Sequence, residues 1–257
     1  MKSKNITLMN HYNKNGFVVV DFLKKNEIEH VERLIKLKIE KLANKKIGIN
    51  KWKLQFYHKY FDKNSHKNVV SRSSRYIKLN NDLVKKILRN KAYKEITKDN
   101  WGHSKGLIKW IGSSLLDPVL NHASGFRIAR NSNLFFTDVA DPHIDLHYGG
   151  IIRNDLNSVI TFWTPITGFS KKYTLKLFPG THLINHPISQ ISKQTKKVSP
   201  VFNNNYINKF KSKRLNLKKG QAILFHPNLI HGGSLNEGRI TRTSIEFRIY
   251  NKVNYKK

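Results

Sequence analysis

The feature that most constrains the fold is a change in the character of the sequence at Gly125. After this residue the chain breaks into short β-rich runs separated by Gly, Pro, Asn and Ser. Before it, residues 24–48 place apolar side chains at helical spacing, with Gly48 as the expected stop. Helices followed by about eight short strands predict a β-sandwich or jelly roll buttressed by N-terminal helices. The β-rich runs are GFRIAR, NLFFTDV, SVITFWTPI, TLKLFPG, RLNLKKGQAILFHP and RTSIEFRIY.

Other N-terminal segments carry weaker signals. Residues 16–23 read as a short buried strand, and the aromatic-rich residues 52–61 are compatible with either helix or strand. Residues 81–95 predict a helix, and residues 104–122 predict another, broken around Asp117.

The length of 257 residues suits one domain, 1–257, with its own core. We expect residues 1–124 to form a mostly helical support and residues 125–250 to form the β-rich core. Residues 184–213 are polar and basic without clear periodicity, which predicts an inserted surface loop over one end of the sheets.

The composition excludes several kinds of site. The chain has no cysteine, so disulfides, thiolate metal sites and cysteine nucleophiles are ruled out. A metal would need His, Asp or Glu ligands, which favours iron, manganese or zinc. We find no apolar run of membrane-spanning length and no signal peptide, so we expect a soluble, cytoplasmic protein. The sequence does not indicate an oligomeric state.

The charge is extreme and uneven. There are 48 Lys and Arg against 16 Asp and Glu, a net charge of +32, and no acidic residue lies between Leu156 and Asn236. One interpretation is a Lys- and Asn-rich composition without functional meaning. The other is an anionic partner, which would be a nucleic acid, a phosphorylated small molecule or an acidic membrane surface. No zinc finger or RNA-recognition signature is present, so support for nucleic acid is weak.

Within the stretch DPHIDLHYGG, His143 and Asp145 stand two residues apart. Residues two apart on a strand share a face, so both side chains can point at one ion. Alone, a His-x-Asp pair is also compatible with an ordinary polar strand end. His147 shares this face, but about 13 Å of strand separates it from His143, too far for the same ion.

A third metal ligand must come from elsewhere in the chain, and several histidines are candidates. They are His182, His186, His226 and His231. His182 lies in the turn FPGTH, where a histidine more often caps the loop. The glycines after His231, Gly232 and Gly233, permit close backbone approach.

The pattern of His143, Asp145, His231 and then Arg242 at plus eleven resembles the phytanoyl-CoA dioxygenase family of iron(II)- and 2-oxoglutarate-dependent oxygenases. The segments NGFVVVDFL, NSVITFWTPIT, LKLFPGTH and LKKGQAILFHPNLIHGGSLN resemble the opening strand, a later strand, a turn and the His-containing segment of that family. The resemblance implies a double-stranded β-helix, a jelly-roll or cupin-like core, behind N-terminal buttressing helices.

The resemblance also implies a cofactor set and roles for individual residues. His143, Asp145 and His231 would hold Fe(II) on one face, leaving positions for the cosubstrate 2-oxoglutarate and for O2. Arg242 would bind the remote carboxylate of 2-oxoglutarate through its planar fork. Candidates for the same cosubstrate pocket are Thr161, Arg127 and Asn157.

The expected reaction is hydroxylation coupled to decarboxylation of 2-oxoglutarate to succinate. Related halogenases replace the carboxylate ligand by a small residue, whereas Asp145 is present here. The charge favours an anionic small-molecule substrate that is CoA-, nucleotide- or phosphate-linked, or an acidic sugar or natural product. The alternatives are a nucleic-acid-modifying oxygenase, a non-catalytic jelly-roll binding protein, and a zinc or manganese hydrolase using the same three ligands.

Overall fold

A computed structural model describes residues 8–71, 113–117, 142–145, 159–187, 202, 204–232 and 236–250, with helical positions at 89, 91 and 94. The helices are α1 (Leu8–Asn15), α2 (Lys25–Ala43), α3 (Tyr57–Tyr60), α4 (Lys63–Ser71) and α5 (Asn204–Ile207), with short 3-10 turns at Leu54–Phe56 and Thr181–Leu183. The strands are β1 (Phe17–Asp21), β2 (Ser113–Asp117), β3 (Val159–Thr167), β4 (Lys176–Leu177), β5 (Lys213–Arg214), β6 (Gln221–Phe225) and β7 (Arg242–Tyr250).

The strands form two antiparallel sheets. The larger has the order β1-β6-β3-β7-β2, and the smaller pairs β4 with β5. The backbone of His231 forms antiparallel β-bridges with both Leu177 and His143. The segments around His231 and His143 therefore extend the small sheet. An apolar cluster containing Trp163 and Phe225 of the large sheet and Leu177 of the small one fills the space between them. We call this region the inter-sheet space.

The opposite face of the large sheet is covered by helices. Helix α2 buries one of its own faces against the sheet. The buried side chains recur at intervals of three and four residues, at Ile28, Val31, Ile35 and Ile39. These side chains belong to one cluster with Phe162 and other residues of the large sheet. The N-terminal helices therefore support the sheet from outside.

Strand β3 carries side chains into both layers. Phe162 packs in the helical layer and Trp163 in the inter-sheet space, as alternation along a strand requires. Its register with β7 shifts between Pro165 and Thr167. A bulge at this point accommodates Pro165, which has no N–H to donate within a central strand.

Several sequence predictions are confirmed within the described residues. The strand predicted at 16–23 is β1, and three of the β-rich runs contain β3, β6 and β7. The helix predicted in 24–48 is α2, but it ends at Ala43 and not at Gly48, because the next residue, Asn44, adopts the left-handed conformation (φ 53°). The ambiguous residues 52–61 form a 3-10 turn and α3. None of the helices in the described part of the chain is long and apolar enough to cross a membrane.

The helix predicted over 104–122 is wrong where the structure describes it. Ser113–Asp117 is a strand that pairs antiparallel with β7. Five residues are too few to show a helical period, and the backbone partners at the edge of β7 are remote in sequence. The runs GFRIAR and NLFFTDV and the greater part of 81–95 lie outside the described residues.

Candidate metal centre

The structure brings His143, Asp145 and His231 together in a buried cluster. Their exposures are 8%, 0% and 2%. The Nε2 atoms of His143 and His231 lie 3.8 and 3.7 Å from Oδ1 of Asp145, and one ligand atom from each residue lies within 4.8 Å of the others. In the described part of the chain, no other group of three or more His and carboxylate side chains is placed this way.

Backbone pairing brings these distant segments into contact. His143 N–H donates to His231 O at 2.8 Å, and His231 N–H donates to His143 O at 2.9 Å. Asp145 N–H donates to Pro227 O at 2.7 Å. Residues 142–145 and 227–231 are therefore held side by side, and this pairing fixes which downstream histidine approaches Asp145.

Neighbouring groups orient two of the three side chains. His231 Nδ1 lies 2.9 Å from the carbonyl oxygen of Leu229, which can only accept, so Nδ1 carries the proton and Nε2 keeps its lone pair. The Thr161 hydroxyl donates to Asp145 Oδ2 at 2.7 Å, leaving Oδ1 beside the histidines. The ring of Phe225 lies 4.6 Å from that of His231. Such outer contacts are typical of metal-binding imidazoles and carboxylates.

The donor set fits a divalent transition metal. Two neutral imidazoles and one carboxylate form the facial set used by non-haem iron, with open positions for other ligands.

Ser244 has a buried hydroxyl whose Oγ has no hydrogen-bond partner among the described residues. By strand alternation Ser244 lies on the face of β7 opposite to Ile245, which packs in the helical layer. An oxygen-rich ligand in the inter-sheet space would satisfy it.

Arg242 is buried at 5% exposure, and its Nη1 donates to the carbonyl oxygen of Tyr173 at 2.7 Å. It stands at the opposite end of β7 from the triad. Thr161, which contacts Asp145, is paired with Arg248 in the register of β3 and β7, so the triad lies beside the Arg248 end. Arg242 and Arg248 are six residues apart, about 20 Å along the strand. The cosubstrate role of Arg242 stays a prediction, and Arg248 is the competing arginine.

The remaining predicted positions have different outcomes. Thr161 contacts Asp145, so its observed partner is a candidate metal ligand, and its role toward a cosubstrate stays a prediction. Arg127, Asn157 and His147 lie outside the described residues.

The other candidate histidines, His182, His186 and His226, do not belong to the cluster. His182 and His226 lie with ring centroids 5.3 Å apart, and His182 Nε2 is 3.0 Å from Asn13 O. Burial, followed by the repulsion from His182, lowers the pKa of His226 to about 3. Burial likewise lowers the pKa of His182. His186 contacts the Tyr206 hydroxyl at 2.9 Å.

Sequence reasoning did not single out Ser244 or the inward-facing Trp163. Both could have been found by continuing the alternation from a predicted site residue on the same strand, from Arg242 to Ser244 and from Thr161 to Trp163.

Comparison with known proteins gives one family. The model of the family described as phytanoyl-CoA dioxygenase matches residues 12–244. No curated protein sequence matches the chain.

Three solved structures are similar in fold. The non-haem alpha-ketoglutarate-dependent carbocyclase SnoK from nogalamycin biosynthesis is 12% identical, with 97% of this chain and 84% of that one covered and a TM-score of 0.54. The epimerase SnoN, in complex with Fe3+, alpha-ketoglutarate and nogalamycin RO, is 11% identical, with coverages of 95% and 82% and a TM-score of 0.50. AviO1 from Streptomyces viridochromogenes Tue57 is 12% identical, with coverages of 100% and 99% and a TM-score of 0.54.

Proposed function

We propose that this chain, which belongs to the phytanoyl-CoA dioxygenase family, is an iron(II)- and 2-oxoglutarate-dependent oxygenase built on a double-stranded β-helix. The buried cluster of His143, Asp145 and His231 is the observation that carries the proposal. The sheet order supports the fold, because β7, β3 and β6 lie side by side in one sheet while the segments holding the triad extend the other. The similar SnoN structure contains Fe3+ and alpha-ketoglutarate.

In the proposed site, His143, Asp145 and His231 hold the metal. Bound iron(II) and 2-oxoglutarate would together reduce O2, the oxidant, to a species able to attack an unactivated C–H bond. Thr161 keeps the Asp145 carboxylate in one orientation, and the Leu229 carbonyl keeps the Nε2 lone pair of His231 available. Each of these contacts reduces the reorganisation required when the metal binds.

The walls of the inter-sheet space exclude water from the proposed reaction centre. Trp163, Leu177, Phe225 and Leu229 are all buried and pack in one cluster, and Phe225 contacts the ring of His231. A dry, low-dielectric pocket strengthens every charged contact within it and protects a reactive intermediate from side reactions.

We propose that Arg242 binds the remote carboxylate of 2-oxoglutarate, with the Ser244 hydroxyl on the same strand face. A buried guanidinium offers the bidentate geometry that a carboxylate prefers. The proposed substrate is an anionic small molecule that becomes hydroxylated. The absence of acidic residues between Leu156 and Asn236 supports the substrate charge, and Asp145 supports hydroxylation over halogenation.

The test is an anaerobic titration of the Fe(II)-loaded protein with 2-oxoglutarate, monitored by the charge-transfer absorption that a bound 2-oxoacid gives. We expect a saturable band in the natural protein and none in Asp145→Ala. A mass-spectrometric screen of anionic compounds should then find a gain of one oxygen together with succinate. A well-folded protein with neither the band nor any turnover of 2-oxoglutarate would refute the proposal.

The same titration decides between the two arginines. Arg242→Met should weaken 2-oxoglutarate binding about 10- to 100-fold, the usual effect of removing a charge-assisted contact. Arg248→Met, the matched change on the same strand, should leave the affinity near that of the natural protein. The reverse result would assign the carboxylate contact to Arg248.

A further inference from the structure

The residue immediately before Arg242 is held by the N-terminal helical layer. Thr241 N–H donates to Gln55 O at 2.8 Å, and Thr241 Oγ1 lies 2.9 Å from His58 Nδ1. Thr241 is fully buried and His58 is 4% exposed, although 183 residues separate them in sequence. The start of β7 is therefore attached to the short helical segment around α3.

The bulged end of β3 holds the same residue from another side. The Thr167 hydroxyl donates to Thr241 O at 2.7 Å and accepts from Thr243 N–H at 2.9 Å. The N–H, the carbonyl and the hydroxyl of Thr241 thus all have partners. Such complete satisfaction in a buried position fixes the backbone from which the Arg242 side chain departs.

The direction of the Arg242 side chain depends on the position of that backbone. It is buried and leaves β7 to meet the Tyr173 carbonyl, so a shift of its Cα would move the guanidinium. A bidentate contact with a carboxylate tolerates a misplacement of only about 0.5 Å. Support for Thr241 is then a condition for carboxylate binding by Arg242.

We infer that His58 is a positioning residue for Arg242, acting through the hydroxyl of Thr241. His58 does not itself touch the cosubstrate. It fixes Thr241, the residue immediately before β7, so that the Arg242 guanidinium is held in position for the remote carboxylate of a 2-oxoacid. This inference rests on the proposed function, because it takes Arg242 as the group that binds that carboxylate.

The chain offers matched controls for both partners of this hydrogen bond. Thr243 is buried two residues along, and its hydroxyl has no partner among the described residues, so Thr243→Val controls for Thr241→Val. His66 is buried in the same helical layer and contacts the Tyr57 hydroxyl at 3.1 Å, so His66→Leu controls for His58→Leu. His58→Asn places a polar atom near the position of Nδ1 and should therefore retain part of the 2-oxoglutarate affinity that His58→Leu loses.

The experiment compares two ligands on the anaerobic Fe(II) protein, without turnover. 2-Oxoglutarate carries the remote carboxylate, whereas 2-oxobutyrate binds a metal through the same keto acid group and lacks it. We expect His58→Leu and Thr241→Val each to weaken 2-oxoglutarate binding about five- to tenfold, the effect of one buried hydrogen bond. Affinity for 2-oxobutyrate and the iron content should not change, and both control variants should bind both ligands as the natural protein does.

Two results would overturn the inference. One is unchanged 2-oxoglutarate affinity in Thr241→Val, which keeps the shape of the side chain and remains informative if His58→Leu fails to fold. The other is an equal loss of both ligands, which indicates a merely structural role. Arg242→Met separates the two proposals: if it weakens 2-oxoglutarate binding while Thr241→Val does not, the positioning role alone fails. If Arg242→Met has no effect either, the proposed carboxylate contact fails with it.

Discussion

Two pairs of neighbouring histidines in this protein look alike, and they differ in whether a carboxylate lies beside them. His143 and His231 have ring centroids 4.3 Å apart, and His182 and His226 have centroids 5.3 Å apart. The first pair has Asp145 beside both Nε2 atoms. Among the described residues, no carboxylate completes a comparable cluster at the second pair.

The carboxylate changes what the imidazoles can do. Asp145 offsets one of the two charges of a divalent cation, and the cation finds three donors of suitable type. At the second pair, desolvation lowers the pKa of both rings, and repulsion from His182 lowers that of His226 further, which favours the neutral imidazoles. His226 then serves the fold, where its Nδ1 accepts from Asn228 N–H at 3.0 Å. In this protein the neighbouring carboxylate therefore distinguishes the histidine pair that can hold a metal from the pair that supports the fold.

The largest expected difference between the pairs is in metal binding. His143→Ala should abolish stoichiometric iron binding, because the remaining two donors no longer form a facial set. His226→Asn, which keeps an acceptor for Asn228 N–H, should leave the iron content unchanged. Both are measured by anaerobic Fe(II) titration. Equal iron binding by the two variants would remove the distinction.

A smaller effect should come from the hydroxyl that orients Asp145. Thr161→Val should reduce metal affinity about 10- to 100-fold, as is usual when a partner of a metal ligand is lost. Thr164→Val on the same strand is the control, because the Thr164 hydroxyl is buried without a hydrogen-bond partner in the described structure. If both valine variants bind metal alike, the Thr161 contact does not tune the site.

The smallest expected effect is on stability and concerns the second pair. His226 has a folded pKa of about 3 against 6.5 when exposed, so the unfolded chain binds the extra proton between these values. Its contribution to stability is complete above pH 6.5 and is lost progressively as the pH falls toward 3. Between pH 6.5 and 3, each pH unit should lower the free energy of unfolding by about 1.4 kcal/mol.

Urea unfolding of the metal-free protein at pH 7.5 and 5.5 measures this loss. His226→Asn removes the titrating ring and should show a smaller decrease in the free energy of unfolding between the two pH values. An equal decrease in both proteins would mean that other groups account for the acid sensitivity.

Much of the fold was predictable where a pattern is local. The spacing in α2 and the β-rich runs of β3, β6 and β7 identify those elements because burial of one face follows a period of 3.6 or 2 residues. Ser113–Asp117 was mispredicted as helix because its strand form depends on pairing with β7, more than a hundred residues later. Local pattern contains no information on such a partner.

The sequence by itself determined the residue types at the candidate site. His143 and Asp145 stand at strand spacing, and the family pattern adds His231 and Arg242. The tertiary structure alone decided that Thr161 bonds to Asp145 and that His58 bonds to Thr241. The physical reason is that a hydrogen bond acts over about 3 Å, and only strand register and layer packing bring such distant residues within that range.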